Sequence, residues 1–136
     1  MIGPGIVLGL GCVGSSIGCG IGSMALHGVL TRVEAGQGKL IGLSAIASSQ
    51  AIYGFVLMIL MKNHLLAGTL TGIGGIGIGL FVGLALMVSS IYQGKCAATA
   101  IQAAAKQPAV FMKAAVAVGI IESFSIFAFV FSLLII

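Results

Sequence analysis

The segment Ala114–Ile136 reads AAVAVGIIESFSIFAFVFSLLII, an apolar run long enough to cross a bilayer and interrupted by a single charged residue, Glu122. Such a run can only be helical in hydrocarbon, where every backbone N–H and C=O must be paired within the segment. The rest of the chain has the same character. Of its 136 residues, 60% are hydrophobic and 6% charged, with a mean hydropathy of +1.28. A soluble domain carries about a quarter charged residues, so a water-soluble globular fold is excluded. Six Lys+Arg, two Asp+Glu and two His are too few for an enzyme site assembled from several side chains. The net charge of +4 comes from Arg32, Lys39, Lys62, Lys95, Lys106 and Lys113, which are spread among apolar segments and form no patch for nucleic acid. Cys12, Cys19 and Cys96 show neither metal spacing nor an even count, and read as small packing residues.

Four apolar runs lie at about Ile2–Leu30, Leu40–Met61, Leu65–Ala105 and Ala114–Ile136. The fold class expected is therefore all-α and membrane-embedded, with four transmembrane helices. The third run exceeds the hydrocarbon thickness and contains Lys95, so its helix should start near Leu70 and project beyond the membrane. Met1-Ile2-Gly3-Pro4-Gly5 has no basic n-region, so the first run is expected to stay as a span. Arg32, Lys39, Lys106 and Lys113 flank the first and third connections, against Lys62 alone at the second. By the positive-inside rule, loops 1–2 and 3–4 face the cytoplasm, and both termini and the Lys62-Asn63-His64 turn face outside.

Sliding the chain by 74 residues aligns Gly3–Lys62 with Gly77–Ile136 without a gap and gives 16 identities in 60 positions. Ser15-Ser16-Ile17 falls on Ser89-Ser90-Ile91, Gly20 on Gly94, Lys39 on Lys113 and Phe55-Val56 on Phe129-Val130. A two-helix repeat returns the chain to its starting side, so the halves are parallel copies, unlike inverted transporter repeats. Residues 1–66 form the first hairpin and 67–136 the second. In the odd helices Gly5/Gly9, Gly14/Gly18/Gly22 and Gly75/Gly79/Gly83 lie four apart, which permits close backbone approach. The even helices carry bulk, with Tyr53, Phe55, Leu57 and Met58, then Phe124, Phe127, Phe129 and Phe131. This layering suits hairpins packed side by side with the glycine helices on the crowded inside.

Glu122 is the only carboxylate in any run. An ionised group there costs roughly 2.5–3.5 kcal/mol on insertion scales, so it marks an ion or proton path, or else is kept neutral or paired. A basic partner is hard to find, since Arg32 is in a loop and Lys95 points nearly opposite to Gln93 on its helix. With the 3–4 turn between Gln107 and Pro108, Gln93 precedes Pro108 by as many residues as Glu122 follows Gln107. They therefore share one depth, and the repeat places Gln50 about one residue deeper. Ile46, Ser49, Gln50 and Tyr53 follow i, i+3, i+4, i+7 and occupy one face of helix 2. Ser49 offers a hydroxyl oxygen, Gln50 and Gln93 amide oxygens, and the Tyr53 phenol can donate to a carboxylate. Oxygen ligands with one negative charge suit a hard cation such as Na⁺, whereas a proton needs only Glu122 and a hydrogen-bond partner. The repeat counterpart of Glu122 is Ser48, so four helices carry one charge.

At these residues the chain resembles the proteolipid subunit (subunit K) of V-type ATPases, the building block of a membrane rotor ring. The segments that carry the resemblance are Ser49-Gln50-Ala51-Ile52-Tyr53-Gly54-Phe55-Val56, Gln93-Gly94-Lys95 and Glu122 followed by Phe129-Val130. They look most like the bacterial Na⁺-translocating branch. The resemblance implies Na⁺ or H⁺ as the transported ion, no covalent cofactor, and an ion site at Glu122, Gln50, Gln93, Ser49 and the Ile46 carbonyl, with Tyr53 bonding Glu122. Ser49 departs from the usual Thr, keeping the oxygen but losing a methyl that stiffens the rotamer. The resemblance further implies a homo-oligomeric ring, a stator subunit with a buried arginine, central-stalk subunits at the cytoplasmic loops and a bacterial plasma membrane. No GxxxxGK[ST] phosphate loop is present, and the resemblance implies that ATP turnover belongs to a separate soluble sector. The alternatives are a small four-helix secondary cation or proton transporter and a purely structural pore former.

Overall fold

A computed structural model describes residues 1–136. Its helices are α1 (Ile2–Leu30), α2 (Gln37–Ala45), α3 (Ser49–Leu66), α4 (Gly72–Lys106) and α5 (Phe111–Ser132), with 3₁₀ turns at Ile46–Ser48 and Pro108–Val110. Together α2, the 3₁₀ turn and α3 make one span, Gln37–Leu66, so four helical segments are long and apolar enough to cross a membrane. The chain is an all-α membrane protein built as two tandem hairpins.

The elements depart from the sequence reading in four places, one being Lys62-Asn63-His64, which belongs to α3 and is not the turn expected there, since the connection starts at Ala67. Helix 2 is broken at Ile46–Ser48 instead of running at an even helical pitch. The third helix begins at Gly72, because the His64 carbonyl draws in the N–H groups of Thr69 and Leu70 and the Thr71 hydroxyl caps Gly74 N–H at 3.1 Å. Gly68 makes that connection possible with a φ of 75°. The last helix stops at Ser132, after which Leu133, Leu134 and Ile135 bond three residues back in a tightened final turn.

The core is a seam of backbone between α1 and α4. A Cβ added at Gly3 would strike the Gly75 carbonyl, one at Gly79 the Gly3 carbonyl, and one at Gly94 the backbone of Gly18. Gly14 meets Met87 and Gly18 meets Ser90 in the same way. Gly11, Gly22 and Gly54 bring the second span against the α1 backbone as well, though less tightly. Gly5 and Gly9, expected on the close face, meet nothing within 4 Å. Spacing by four defines a face but not its rotation, and the seam is carried at that end by Gly3 and Gly79 instead.

Two apolar clusters fill the hairpin pair. Leu26, Leu40, Leu43, Ala97, Ala100, Ile101, Ala104 and Val118 pack at the loop 1–2 and 3–4 end, and Val7, Leu57, Met61 and Leu86 at the other. Between them lie the buried polar residues Ser15, Gln50, Ser89, Ser90, Gln93 and Ser125. The fourth span is the least enclosed, with 11% of its most apolar window buried against 33–39% for the others. Phe124, Phe127 and Phe131 stay exposed on it, a surface that suits lipid or a second copy.

Gly20 and Gly94 are equivalent in the repeat, yet Gly20 faces open space and Gly94 the Gly18 backbone. Gly94→Ala should therefore destabilise the detergent-solubilised protein by about 1–3 kcal/mol through overpacking. Gly20→Ala should leave the thermal midpoint unchanged or raise it, and equal shifts for the two would refute the seam.

Candidate functional site

The polar layer is assembled from three spans, and its chemistry starts with Glu122. The Tyr53 hydroxyl donates to Glu122 Oε1 at 2.8 Å, and Gln93 Nε2 donates to Glu122 Oε2 at 3.4 Å. Each carboxyl oxygen thus has one neutral donor. Tyr53 is steadied from behind by stacking on Phe129 at 5.8 Å between centroids.

The two glutamines are fully buried and bonded to each other, Gln50 Nε2 donating to Gln93 Oε1 at 2.7 Å. Gln50 Nε2 also reaches Ser125 Oγ at 3.3 Å, so both of its amide hydrogens point away from its own Oε1. That oxygen faces Ser49, whose hydroxyl lies 3.3 Å from Gln50 Oε1 and 3.4 Å from the Ile46 carbonyl. All six residues singled out in the sequence therefore meet in one layer. Gln50, Gln93 and Glu122 share a depth, and Ile46, Ser49 and Tyr53 complete the side formed by the second span.

The break at Ile46–Ser48 supplies something an unbroken helix lacks. In a regular α-helix a carbonyl such as that of Ile46 bonds the N–H four residues on and points along the axis. Here neighbouring groups are taken by other helices: the Ala47 carbonyl accepts from Ser90 Oγ at 2.8 Å, and Ala51 N–H donates to Ser15 Oγ at 3.0 Å. Cys19 Sγ approaches the Ala45 carbonyl at 3.7 Å, so this cysteine is more than the apolar filler expected of it. No buried side-chain N or O is left without a partner.

Sequence reasoning overlooked Ser15, Ser89, Ser90 and Ser125. The signal was present, because Ser15-Ser16 and Ser89-Ser90 are among the repeat identities and Ser125 sits one turn beyond Glu122. Lys95, exposed on the face away from Glu122, lies over the Tyr92 ring at 4.9 Å and takes no part in the layer.

The family model for the C subunit of ATP synthase matches the chain twice, over residues 2–61 and 76–135, with the 74-residue offset of the internal repeat. The chain belongs to this ATP synthase family. It is similar to the V-type sodium ATPase subunit K of Enterococcus hirae, with 29% identity covering 91% of this chain and 81% of that protein. It is also similar to the A-type ATP synthase subunit K of Methanocaldococcus jannaschii, with 35% identity covering 99% of this chain and 61% of that protein. The protein is an ion-translocating rotor proteolipid of the V-type ATPase and ATP synthase kind. Family membership sets aside the free-standing transporter and the inert pore former.

Replacing Gln50 by Leu would leave the buried Gln93 Oε1 without its donor. Gln50→Leu should cost about 1–3 kcal/mol in thermal unfolding of the solubilised protein. Stability equal to the native protein would mean that the amide pair is dispensable.

Proposed function

We propose that the chain carries Na⁺ across the membrane on Glu122, in a cage made with Gln50 Oε1, Gln93 Oε1, Ser49 Oγ and the Ile46 carbonyl, with Tyr53 holding the carboxylate. The observation that carries this reading is the chain of hydrogen bonds that links Glu122 through Tyr53 and Gln93 to Gln50, Ser49 and the Ile46 carbonyl, which gathers hydroxyl, amide and carbonyl oxygens from two other spans into the layer of one membrane carboxylate. Oxygen donors with a single negative charge match a hard monovalent cation. The name of the Enterococcus hirae relative, a sodium ATPase subunit, supports Na⁺ over H⁺. For H⁺, the Tyr53 and Gln93 contacts alone would suffice.

The mechanism follows from the price of charge in hydrocarbon. Glu122 can face lipid only when its charge is neutralised by the bound cation. Release then requires a stator subunit, whose buried arginine would take the place of the ion beside the carboxylate. This chain has no arginine inside a span, Arg32 lying just past the end of α1. Each ion moved down 100 mV supplies roughly 2.3 kcal/mol, which rotation of a ring of identical copies passes to ATP turnover in a separate sector. The hairpins 1–66 and 67–136 are the units of that ring. The basic segments Arg32–Lys39 and Lys106–Lys113 are the stalk contacts, on the cytoplasmic side of a bacterial plasma membrane with both termini outside.

A hydrophobic carbodiimide attacks the protonated carboxyl and so reports on Glu122 directly. At fixed pH in isolated membranes, Na⁺ should slow labelling of Glu122, and Glu122→Gln should abolish labelling and coupled transport while the ring still assembles. Labelling that follows pH but ignores Na⁺ would replace the sodium reading with a proton rotor. ATP-driven ion pumping retained by Glu122→Gln would overturn the role of the carboxylate altogether.

A further inference from the structure

The proposed cage has two halves, on the second span and on α5, and its own residues join them only through the long side chains of Tyr53 and Gln93. The half on the second span comprises Ile46, Ser49, Gln50 and Tyr53, the other is Glu122 on α5, and Gln93 on α4 lies between them. Long side chains such as Gln and Tyr can follow a drifting partner. Short ones cannot.

Two consecutive short side chains on α4 bridge the halves at backbone level. Ser89 Oγ donates to the Ile121 carbonyl at 3.0 Å, one residue before Glu122. Ser90 Oγ donates to the Ala47 carbonyl at 2.8 Å, one residue after Ile46 and inside the 3₁₀ turn. Neighbouring residues on a helix point about 100° apart, so one level of α4 addresses α5 and the second span at once. Both serines are buried, Ser90 completely. The bracket is closed by side chains, since Ser125 Oγ donates to Ser89 Oγ at 2.7 Å while accepting from Gln50 Nε2 at 3.3 Å.

Ser90 also holds the helix break. In an unbroken helix the Ala47 carbonyl and Ala51 N–H would bond each other. Ser90 takes the first and Ser15 the second. Without Ser90, the Ala47 carbonyl is left to close onto its own helix and carry the neighbouring Ile46 carbonyl with it.

We infer that Ser89 and Ser90 are positioning residues that set the ion selectivity of the cage by fixing the separation of its two halves. This rests on the cage reading given above. Cations of different radius are told apart by cavity size and rigidity, and groups behind the ligands tune that rigidity without touching the ion.

The test compares assembled rings of native protein, Ser89→Ala, Ser90→Ala and Ser90→Cys. For each, the concentrations of NaCl and LiCl that halve carbodiimide labelling of Glu122 are measured at fixed pH. Ser90→Ala should raise the NaCl concentration about 10- to 100-fold, the range for lost outer partners of metal ligands. It should raise the LiCl concentration less, so that the Na⁺/Li⁺ preference collapses, and Ser90→Cys, which keeps a weak donor, should recover part of it. A purely structural role would lower ring stability and leave the ratio unchanged. If Ser90→Ala does not assemble, Ser89→Ala decides by the same ratio. Native protection by Na⁺ with native ratios in every serine variant overturns the bracket alone. Native labelling that neither cation slows overturns the cage, and the bracket with it.

Discussion

A carboxyl group in hydrocarbon must find a partner for each oxygen without water, and the middle of this protein is arranged around that requirement. Glu122 has one donor per oxygen, Tyr53 from the second span and Gln93 from the third. Gln93 can spare its amide hydrogen only because its own oxygen is engaged by Gln50, which in turn leans on Ser125. Gln50 and Gln93 meet between the second span and α4, both of which pack closely on α1. Their meeting depends on how closely α1 draws those two helices to itself. Glycine at positions 3, 14, 18, 79 and 94 supplies that closeness along α1 and α4, and at 11, 22 and 54 along the second span. The glycine seam thus gathers on α1 the two spans whose glutamines bond each other.

Depth along the membrane normal is legible in the residues themselves. Run lengths mark the four spans, and the ungapped repeat makes the hairpins parallel. Counting outward from the Gln107–Pro108 turn is enough to place Gln93 beside Glu122, because helical rise converts residue number into depth. Rotation is less legible. Gly5 and Gly9 satisfy the same spacing rule as Gly14 and Gly18 but face away from the seam, and Gly20 differs from Gly94 although the repeat makes them equivalent. The 3₁₀ turn at Ile46–Ser48 leaves no mark in composition, as Ala, Ser and Ile suit either helix, and the partners that stabilise it lie on other spans. Serines escape notice for a related reason: a hydroxyl in an apolar helix usually bonds its own preceding turn, as Ser132 does with Phe129.

The duplication has kept its joinery and lost half of its chemistry. Ser15 and Ser89 occupy equivalent positions, and each reaches across to the following span, Ser15 to Ala51 N–H and Ser89 to Ser125, which is itself the counterpart of Ala51. At the polar positions the halves have parted. Ser48 stands where the second half has Glu122, Cys19 where it has Gln93, and Phe124 and Phe127 stand opposite Gln50 and Tyr53. The scaffold is thus used twice and the charged centre once.

Backbone contact between α1 and α4 has a mechanical side. Where helices meet through interleaved side chains, rotamers can shift and let one rod slip or twist against the other. Here the carbonyls of Gly3, Gly18, Gly75 and Ser90 lie directly against neighbouring glycines, with no such cushion between them. The pair behaves as a single thick bar, and a torque applied at its loop end reaches the far end with little wind-up. Elastic compliance is left to α5, the least enclosed span, so the element that bears Glu122 is also the one that can yield.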